Sequence, residues 1–291
     1  MDLIKATDAH MVRKKFGLPR GSHFYPSEAS VKFTDLHGIE RVEGSCLRQQ
    51  YYRITGEGAS SGTDPYSQWI FALGSGVEQI LIEQWKQMGI WVANSVRFYD
   101  KEHNISGELD AVLIDPENGQ LFGVEVKSFY GYYAKKSICG DKKNEGRPKG
   151  SQLLQCLIYV DLCKKLGIID YFKMIYYARD SADRAEFDIN ISVQADGKRY
   201  PSINGVIDYR FEIDDIYIRY AELETYLENK QLPPRDFSIK YSGELVEKLN
   251  AIGEIAKTNY EKWKKSPAKN PIGDWQCKYC SFSEHCWKEN E

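Results

Sequence analysis

The chain has 291 residues, of which 42% are hydrophobic and 28% charged, and its formal net charge is −3. That apolar share suffices for one large core or two modest ones. The near-neutral charge excludes nucleic-acid binding through a global positive field and leaves it only to a local patch. No run approaches a membrane span, and the opening MDLIKATDAHMVRKK lacks the apolar centre of a signal peptide. A cytoplasmic protein with no membrane partner is the expectation, and in that compartment its seven cysteines are thiols or metal ligands rather than disulfides. No G-x-x-x-x-G-K-S/T run appears, so no P-loop motor is built in.

Residues 1–40 mix charge, Gly and Pro with little periodicity and read as an irregular N-terminal arm or short surface elements. Residues 44–53 suggest a short helix, followed by a Gly/Ser-rich loop at 56–62. From Pro65 to Met88, the residues Ile70, Leu73, Val77, Ile80, Leu81 and Met88 keep a helical period, and Gly89 stops it. Glu78 lies on the edge of that stripe, one turn beyond Gly74. It is either a boundary residue whose head reaches water or a carboxylate aimed at the next element, with Gly74 giving clearance.

That next element is the hairpin Asn104–Tyr130. Two alternating runs flank Pro116-Glu117-Asn118-Gly119, a strong turn signal. With those four residues as the loop, Asp115 faces Gln120 and, counting back, Asp110 faces Glu125. Residues two apart on a strand share a face, so Glu125 and Lys127 project together on the side Asp110 can reach. Two carboxylates and a lysine on one sheet face suit a divalent metal with a cation beside it. Residues 135–149 follow, with six Lys/Arg against two acidic residues. They read as a solvated loop or as a flexible basic arch that holds a phosphate backbone through Lys142, Lys143, Arg147 and Lys149.

Ser151 is placed as the cap of a helix running to Leu166. Gln155 and Tyr159 share one face there, opposite an apolar stripe of Leu153, Leu157 and Val160. Strands are predicted over Tyr171–Ala178, Glu186–Val193 and Val206–Ile213. A helix follows from Asp214 or Asp215 to about Asn229, then another from Ser242 to Lys264, with Ser266–Gly273 as a linker. Cys277-x-x-Cys280-x5-Cys286 closes the chain. Three cysteines leave a tetrahedral site one ligand short. His285 could complete a zinc site, awkwardly, being adjacent to Cys286; the distant candidate is Cys46. Cys156 and Cys163 read as small core or helix-flank residues, and Cys139 as a loop thiol.

Gly107-x-x-Asp110 followed by Glu125-Val126-Lys127 resembles the hairpin motif of the PD-(D/E)XK nuclease superfamily. Gln155-x-x-x-Tyr159 straight after it resembles the signature of the RecB-like branch. Gly74-x-x-x-Glu78 is similar to that branch's first motif, with Glu78 where the family usually carries His, a departure that bears on metal preference. Cys46-x-Arg48-x-x-Tyr51-Tyr52, together with the C-terminal cysteines, is similar to the arrangement in the Fe–S-containing members. Among these are the CRISPR-associated exonucleases of the fourth Cas family and the AddB nuclease domain.

The resemblance spans 46–286. It implies an α/β, restriction-endonuclease-like mixed sheet flanked by helices and stapled by a 4Fe–4S cluster on Cys46, Cys277, Cys280 and Cys286, with zinc as the second choice of metal. The implied organisation is an arm (1–45), a nuclease core (46–265) and a cluster segment (266–291). The implied activity is Mg²⁺- or Mn²⁺-dependent cleavage of DNA, single-stranded or with free ends, in recombination, repair, CRISPR adaptation or phage DNA metabolism. Glu78, Asp110, Glu125 and the Val126 carbonyl would hold the metal, and Lys127 would act beside it, positioned by Gln155 and Tyr159. A borrowed helicase or a recombination or CRISPR protein is the implied partner, and the setting is a bacterial, archaeal or phage protein. The alternative is a non-catalytic DNA-binding or adaptor subunit that keeps the fold.

Overall fold

The computed structural model describes residues 2–13, 21–57, 65–169 and 171–288. In chain order the helices are α1 (Leu3–Arg13), α2 (Leu47–Thr55), α3 (Pro65–Gln87), α4 (Tyr132–Cys139), α5 (Gly150–Leu166), α6 (Ile213–Glu228), α7 (Gly243–Ala251), α8 (Lys257–Lys265), α9 (Trp275–Lys278) and α10 (Ser283–Lys288). The strands are β1 (Ser30–Thr34), β2 (Glu40–Gly44), β3 (Trp91–Asp100), β4 (Ile105–Ile114), β5 (Leu121–Phe129), β6 (Tyr171–Ala178), β7 (Arg184–Val193), β8 (Arg199–Ile203) and β9 (Val206–Ile207). The chain divides into two compact units, Met1–Ser45 with Thr63–Thr225 and Cys46–Gly62 with Tyr226–Glu291.

The first unit is built on a seven-stranded mixed sheet of order β3-β4-β5-β6-β7-β8-β9. Only β5 and β6 run parallel, and α4 and α5 supply the crossover that a parallel pair requires. Alternation along the strands gives the sheet two different faces. Ala111 and Leu113 of β4 and Phe122, Val124 and Val126 of β5 form an apolar layer with Leu81, Ile82 and Trp85 of α3. The intervening residues of β5 face the other way, where Gln155 of α5 meets Glu125. Helices therefore flank both faces.

The predicted hairpin forms with its predicted turn: the Asp115 amide donates to the Gln120 carbonyl (2.8 Å) and Gly119 adopts a φ of 74°. The ladder pairs Ala111 with Val124, which continues to Asp110 opposite Glu125. Backbone pairing stops at that point. The Asp110 carboxylate instead accepts the Val126 amide (2.7 Å), so β4 parts from β5 just where the acidic residues begin.

Several expected elements differ. Of the two readings of the N-terminal stretch, the described residues show short elements, α1 and the β1–β2 hairpin. Gly44 makes that hairpin possible, because a Cβ there would lie 2.0 Å from the Ala29 carbonyl oxygen. The inward face of α3 is Gln68, Leu81, Ile82 and Trp85, whereas Leu73, Ile80 and Met88 are exposed. Of the stripe expected from the sequence, Leu81 is in the core and Val77 packs against it, while Leu73, Ile80 and Met88 face outward.

Helix α5 is buried on every side from Leu153 to Cys163, so Gln155 and Tyr159 are interior residues, not surface ones. Lys149, not Ser151, occupies its N-cap, without a side-chain cap bond. The 135–149 stretch, expected as a solvated loop or a basic arch, is not loop throughout. It begins inside α4 and then turns on Asp141, whose carboxylate accepts the Lys143 and Asn144 amides (2.8 and 2.9 Å). Cys139 accordingly ends a helix.

Strands β3 and β8 were not expected, and the strand predicted over Val206–Ile213 shrinks to β9 before Ile213 opens α6. In the second unit the helix predicted from Ser242 to Lys264 breaks into α7 and α8, with Gly253 at a φ of 79° between them. The predicted linker is tied down: the Tyr241 amide donates to Ile272 O (2.8 Å), and the Ser238 amide to Asp274 Oδ2 (2.7 Å). The Gly/Ser-rich loop expected at 56–62 lies mostly outside the described residues. No described helix is long and apolar enough to cross a membrane.

Candidate active site

Where β4 leaves β5, the structure brings Asp110, Glu125, Lys127, Gln155 and Tyr159 together. Glu125 is 1% exposed. Its Oε1 accepts from Lys127 Nζ and from Gln155 Nε2 (2.7 Å). Gln155 Nε2 also reaches the Tyr159 hydroxyl (2.9 Å), which donates to the Glu108 carbonyl (3.2 Å). The motif glycine serves this packing. A Cβ on Gly107 would sit 2.3 Å from Phe98, whose ring edge meets Tyr159 at 5.5 Å between centroids.

The second oxygen of Glu125, Oε2, is buried and has no hydrogen-bond partner. An orphaned carboxylate oxygen in a closed site is costly unless a cation or water takes it up. The electrostatics point the same way. Burial, and then the neighbouring Asp110, push Glu125 above the carboxylate range. Burial does the same to Asp110. Burial works against charge on Lys127, but Glu125 and Asp110 outweigh it and raise its pKa. Two like charges about 4 Å apart repel by about 4 kcal/mol at an effective dielectric constant of about 20, so one lysine cannot balance this many carboxylates.

Glu78 comes from α3, and burial, then Asp110 and Glu108, raise it to about 7. Among the described residues, Glu78, Asp110 and Glu125 do not bring three carboxylate oxygens within 4.8 Å of one another. The clearance read at Gly74 is real, since a Cβ there would meet Ser128 Oγ of β5 at 3.3 Å. Val126 contributes its amide to Asp110.

The basic residues Lys142, Lys143, Arg147 and Lys149 are all exposed. Arg147 donates its amide to Ser137 O (3.0 Å), and Lys149 donates its amide to the Tyr176 hydroxyl (3.2 Å).

Sequence reasoning missed Glu108. It lies two residues before Asp110 and so on its side of β4, where it pairs with Arg97 (2.7 Å) and acts on both Glu78 and Asp110. Strand parity was the available signal. It also missed Asp100, Glu102 and His103, whose ligand atoms do lie within 4.8 Å of one another. Their geometry is that of a tight turn, with Asp100 accepting from the Glu102 amide (3.1 Å) and paired with His103 Nδ1 (2.6 Å).

The four cysteines singled out above are all in the second unit, and all line one cavity. Cys46 caps α2, whose Leu47 amide is held by Asp236 Oδ2 (2.8 Å). Burial, then the nearby Asp236, raises Cys46 to about 11; burial, then Cys46, raises Cys277 to about 11; burial also raises Cys280. Arg235 Nε and Arg48 Nη1 approach the Cys286 sulfur at 3.4 and 3.9 Å. His285 instead lies edge-on to Tyr52, 4.9 Å between centroids. Cys156 and Cys163 are buried in α5.

No family model matches this chain, and no curated protein does. Among solved structures, one described as "Crystal structure of SSO0001" matches 99% of this chain and 98% of its own at 15% identity and a TM-score of 0.44, a likeness too distant to bear on function.

Proposed function

We propose that the protein is a metal-dependent DNA phosphodiesterase with a restriction-endonuclease-like core, acting on single-stranded DNA or DNA ends. The observation that carries this reading is the convergence of half-buried Asp110 and Lys127 on buried Glu125 at the parting of β4 and β5, with one oxygen of Glu125 left unpartnered. An all-oxygen donor set suits Mg²⁺ or Mn²⁺. Asp110 and Glu125 would hold the ion, with Glu78 and the Val126 carbonyl as further donors. The bound metal would polarise the scissile phosphate and lower the pKa of the attacking water.

The chain's own groups have separable duties. Lys127, kept protonated by its two carboxylates, offsets charge developing on the phosphate. Gln155 fixes one Glu125 oxygen and so aims the other, and Tyr159 fixes Gln155. The test is cleavage of end-labelled single-stranded DNA with Mn²⁺. Lys127→Ala should lose roughly a hundredfold or more in rate, the scale for removing one charge-stabilising group. Wild-type cleavage by that variant would contradict the assignment.

For the cysteines we propose a 4Fe–4S cluster. Thiolate-only donors suit it. Among the described residues no three of these sulfurs lie within 4.8 Å of one another, wider than the roughly 3.8 Å edges of a zinc–thiolate tetrahedron. Arg48 and Arg235 beside Cys286 would offset the negative charge of the ligated group.

A further inference from the structure

Three tyrosines stand just past the C-terminal end of β5. Tyr130, Tyr132 and Tyr133 are 64%, 70% and 86% exposed, although a soluble fold normally turns one side of such rings inward. At about 3.3 Å per residue, Tyr130 lies roughly 10 Å along the chain from Lys127, little more than one nucleotide step from the reacting centre.

The segment that carries them is held in place. The Gly131 amide donates to Asp180 Oδ2 (3.1 Å), the Arg179 amide to Phe129 O (2.9 Å), and Lys135 pairs with Asp183 (2.6 Å). Gly131, at a φ of 87°, makes the turn that starts α4, and the Tyr132 and Tyr133 rings meet edge to face at 5.6 Å. The same end of the sheet is cationic. Arg179 follows β6, with its guanidinium on the Ile70 carbonyl (3.1 Å). Lys149 lies close enough to Arg179 for the two charges to repel. Lys142 and Lys143 are exposed at the turn after α4.

We propose that Tyr130, Tyr132 and Tyr133 form a base-stacking platform that receives a single nucleic-acid strand at the mouth of the Asp110–Glu125–Lys127 centre, with Lys149 and Arg179 taking its phosphates. The proposal rests on the phosphodiesterase reading and adds the substrate's form. Exposed rings beside cationic side chains match a strand whose bases are unpaired, because every base offers a face to stack on while the backbone carries the charge. A duplex hides those faces. A protein partner would need an apolar surface around the rings, yet here the neighbours are charged, with Asp180, Asp183, Lys135 and Arg179 all at the segment that carries them.

The experiment measures anisotropy of a fluorescein-labelled oligothymidine and of a blunt duplex of equal length, in EDTA so that neither is cut. Wild type should prefer the single strand. Tyr132→Ala and Tyr133→Ala should each weaken it at least about fivefold, a ratio equal to about 1 kcal/mol. Duplex binding should be unchanged, and Tyr132→Phe should bind like wild type, since stacking needs the ring and not the hydroxyl. Alanine variants that bind the single strand like wild type, or a phenylalanine variant as weak as alanine, overturn the platform. If Mn²⁺-dependent cleavage persists in that case, the phosphodiesterase reading survives alone. Wild-type protein that neither binds nor cuts either substrate overturns both.

Discussion

The two candidate centres belong to units of opposite build. Asp110, Glu125 and Lys127 sit in a seven-stranded sheet with an apolar layer on one face and the fully buried helix α5 on the other. Their geometry is enforced by a core that needs no ligand to form. Cys46 caps α2, but the other three cysteines lie on or between short elements: α9 has four residues and α10 six, and neither has a buried residue. Burial there raises Cys46 and Cys277 above the ordinary thiol range. On the proposed reading, charged groups in a packed sheet would be positioned before an ion arrives, whereas thiols on sparse helices would depend on the metal for order, because its binding energy is also folding energy. The first centre should lose chemistry without losing fold, and the second should lose both.

The largest effect is therefore expected at the cysteines. Cys46→Ala should abolish iron and the brown absorption near about 400 nm of thiolate-bound clusters. Residues 266–288 should become open to protease while the sheet core stays protected. Cys139→Ala should keep both colour and protection. Colour retained in Cys46→Ala would remove Cys46 from the ligand set, and a colourless anaerobic preparation holding zinc would replace the cluster.

Next in size is Glu78. If it completes the metal site, Glu78→Ala should reduce Mn²⁺-dependent cleavage by roughly tenfold to a hundredfold, the scale for losing a group that supports a metal. Glu78→His should recover part of this with Mn²⁺ more than with Mg²⁺, because imidazole suits the softer ion. Unchanged kinetics in the alanine variant would make Glu78 a helix-boundary residue.

These expectations depend on how far the sequence could be read. The turn Pro116–Gly119 fixes the hairpin register, and register with strand parity suffices to bring Asp110, Glu125 and Lys127 to one face. Parity could not reveal that β4 parts from β5 at Asp110, since that depends on Tyr159 and Gln155 entering from α5. Helix α5 itself misled: buried on all sides, it has no amphipathic stripe to place Gln155. Strand β3 was invisible for the opposite reason, because most of its residues are exposed or half-exposed and it alternates poorly. On α3, Trp85 and Ile82 outcompete Leu73 and Ile80 for the sheet, a choice made by shape against Phe122 and Val124 and not by periodicity.

A smaller effect separates repulsion from packing. The raised carboxyls of the first centre mean that the folded protein holds protons the unfolded chain releases. Metal-free stability should thus be fully present below the ordinary carboxylate range and fall as pH rises through about 7 to about 8, the values to which Glu78 and Glu125 are raised. Asp110→Asn keeps an acceptor for the Val126 amide while removing one charge. In EDTA at pH 8 it should melt higher than wild type by roughly 2–4 °C, or about 1 kcal/mol, and at pH 5 the gap should close. A variant that melts lower at both pH values would make Asp110 a packing residue.

The smallest expected effect is at the exposed lysines. Lys142→Ala and Lys143→Ala should each lower the log–log salt slope of single-strand binding by about 0.7, with little change in cleavage at saturating substrate. An unchanged slope would leave these side chains merely solvated.

The most direct test of the metal centre is a Mn²⁺ titration of apoprotein, followed by calorimetry and paired with cleavage of end-labelled single-stranded DNA, in wild type, Asp110→Asn and Glu125→Gln. Wild type should bind Mn²⁺ and cut. Both variants should lose affinity and cleavage together while keeping their far-ultraviolet circular dichroism. Variants that bind Mn²⁺ and cut DNA as wild type does would contradict the assignment of the centre.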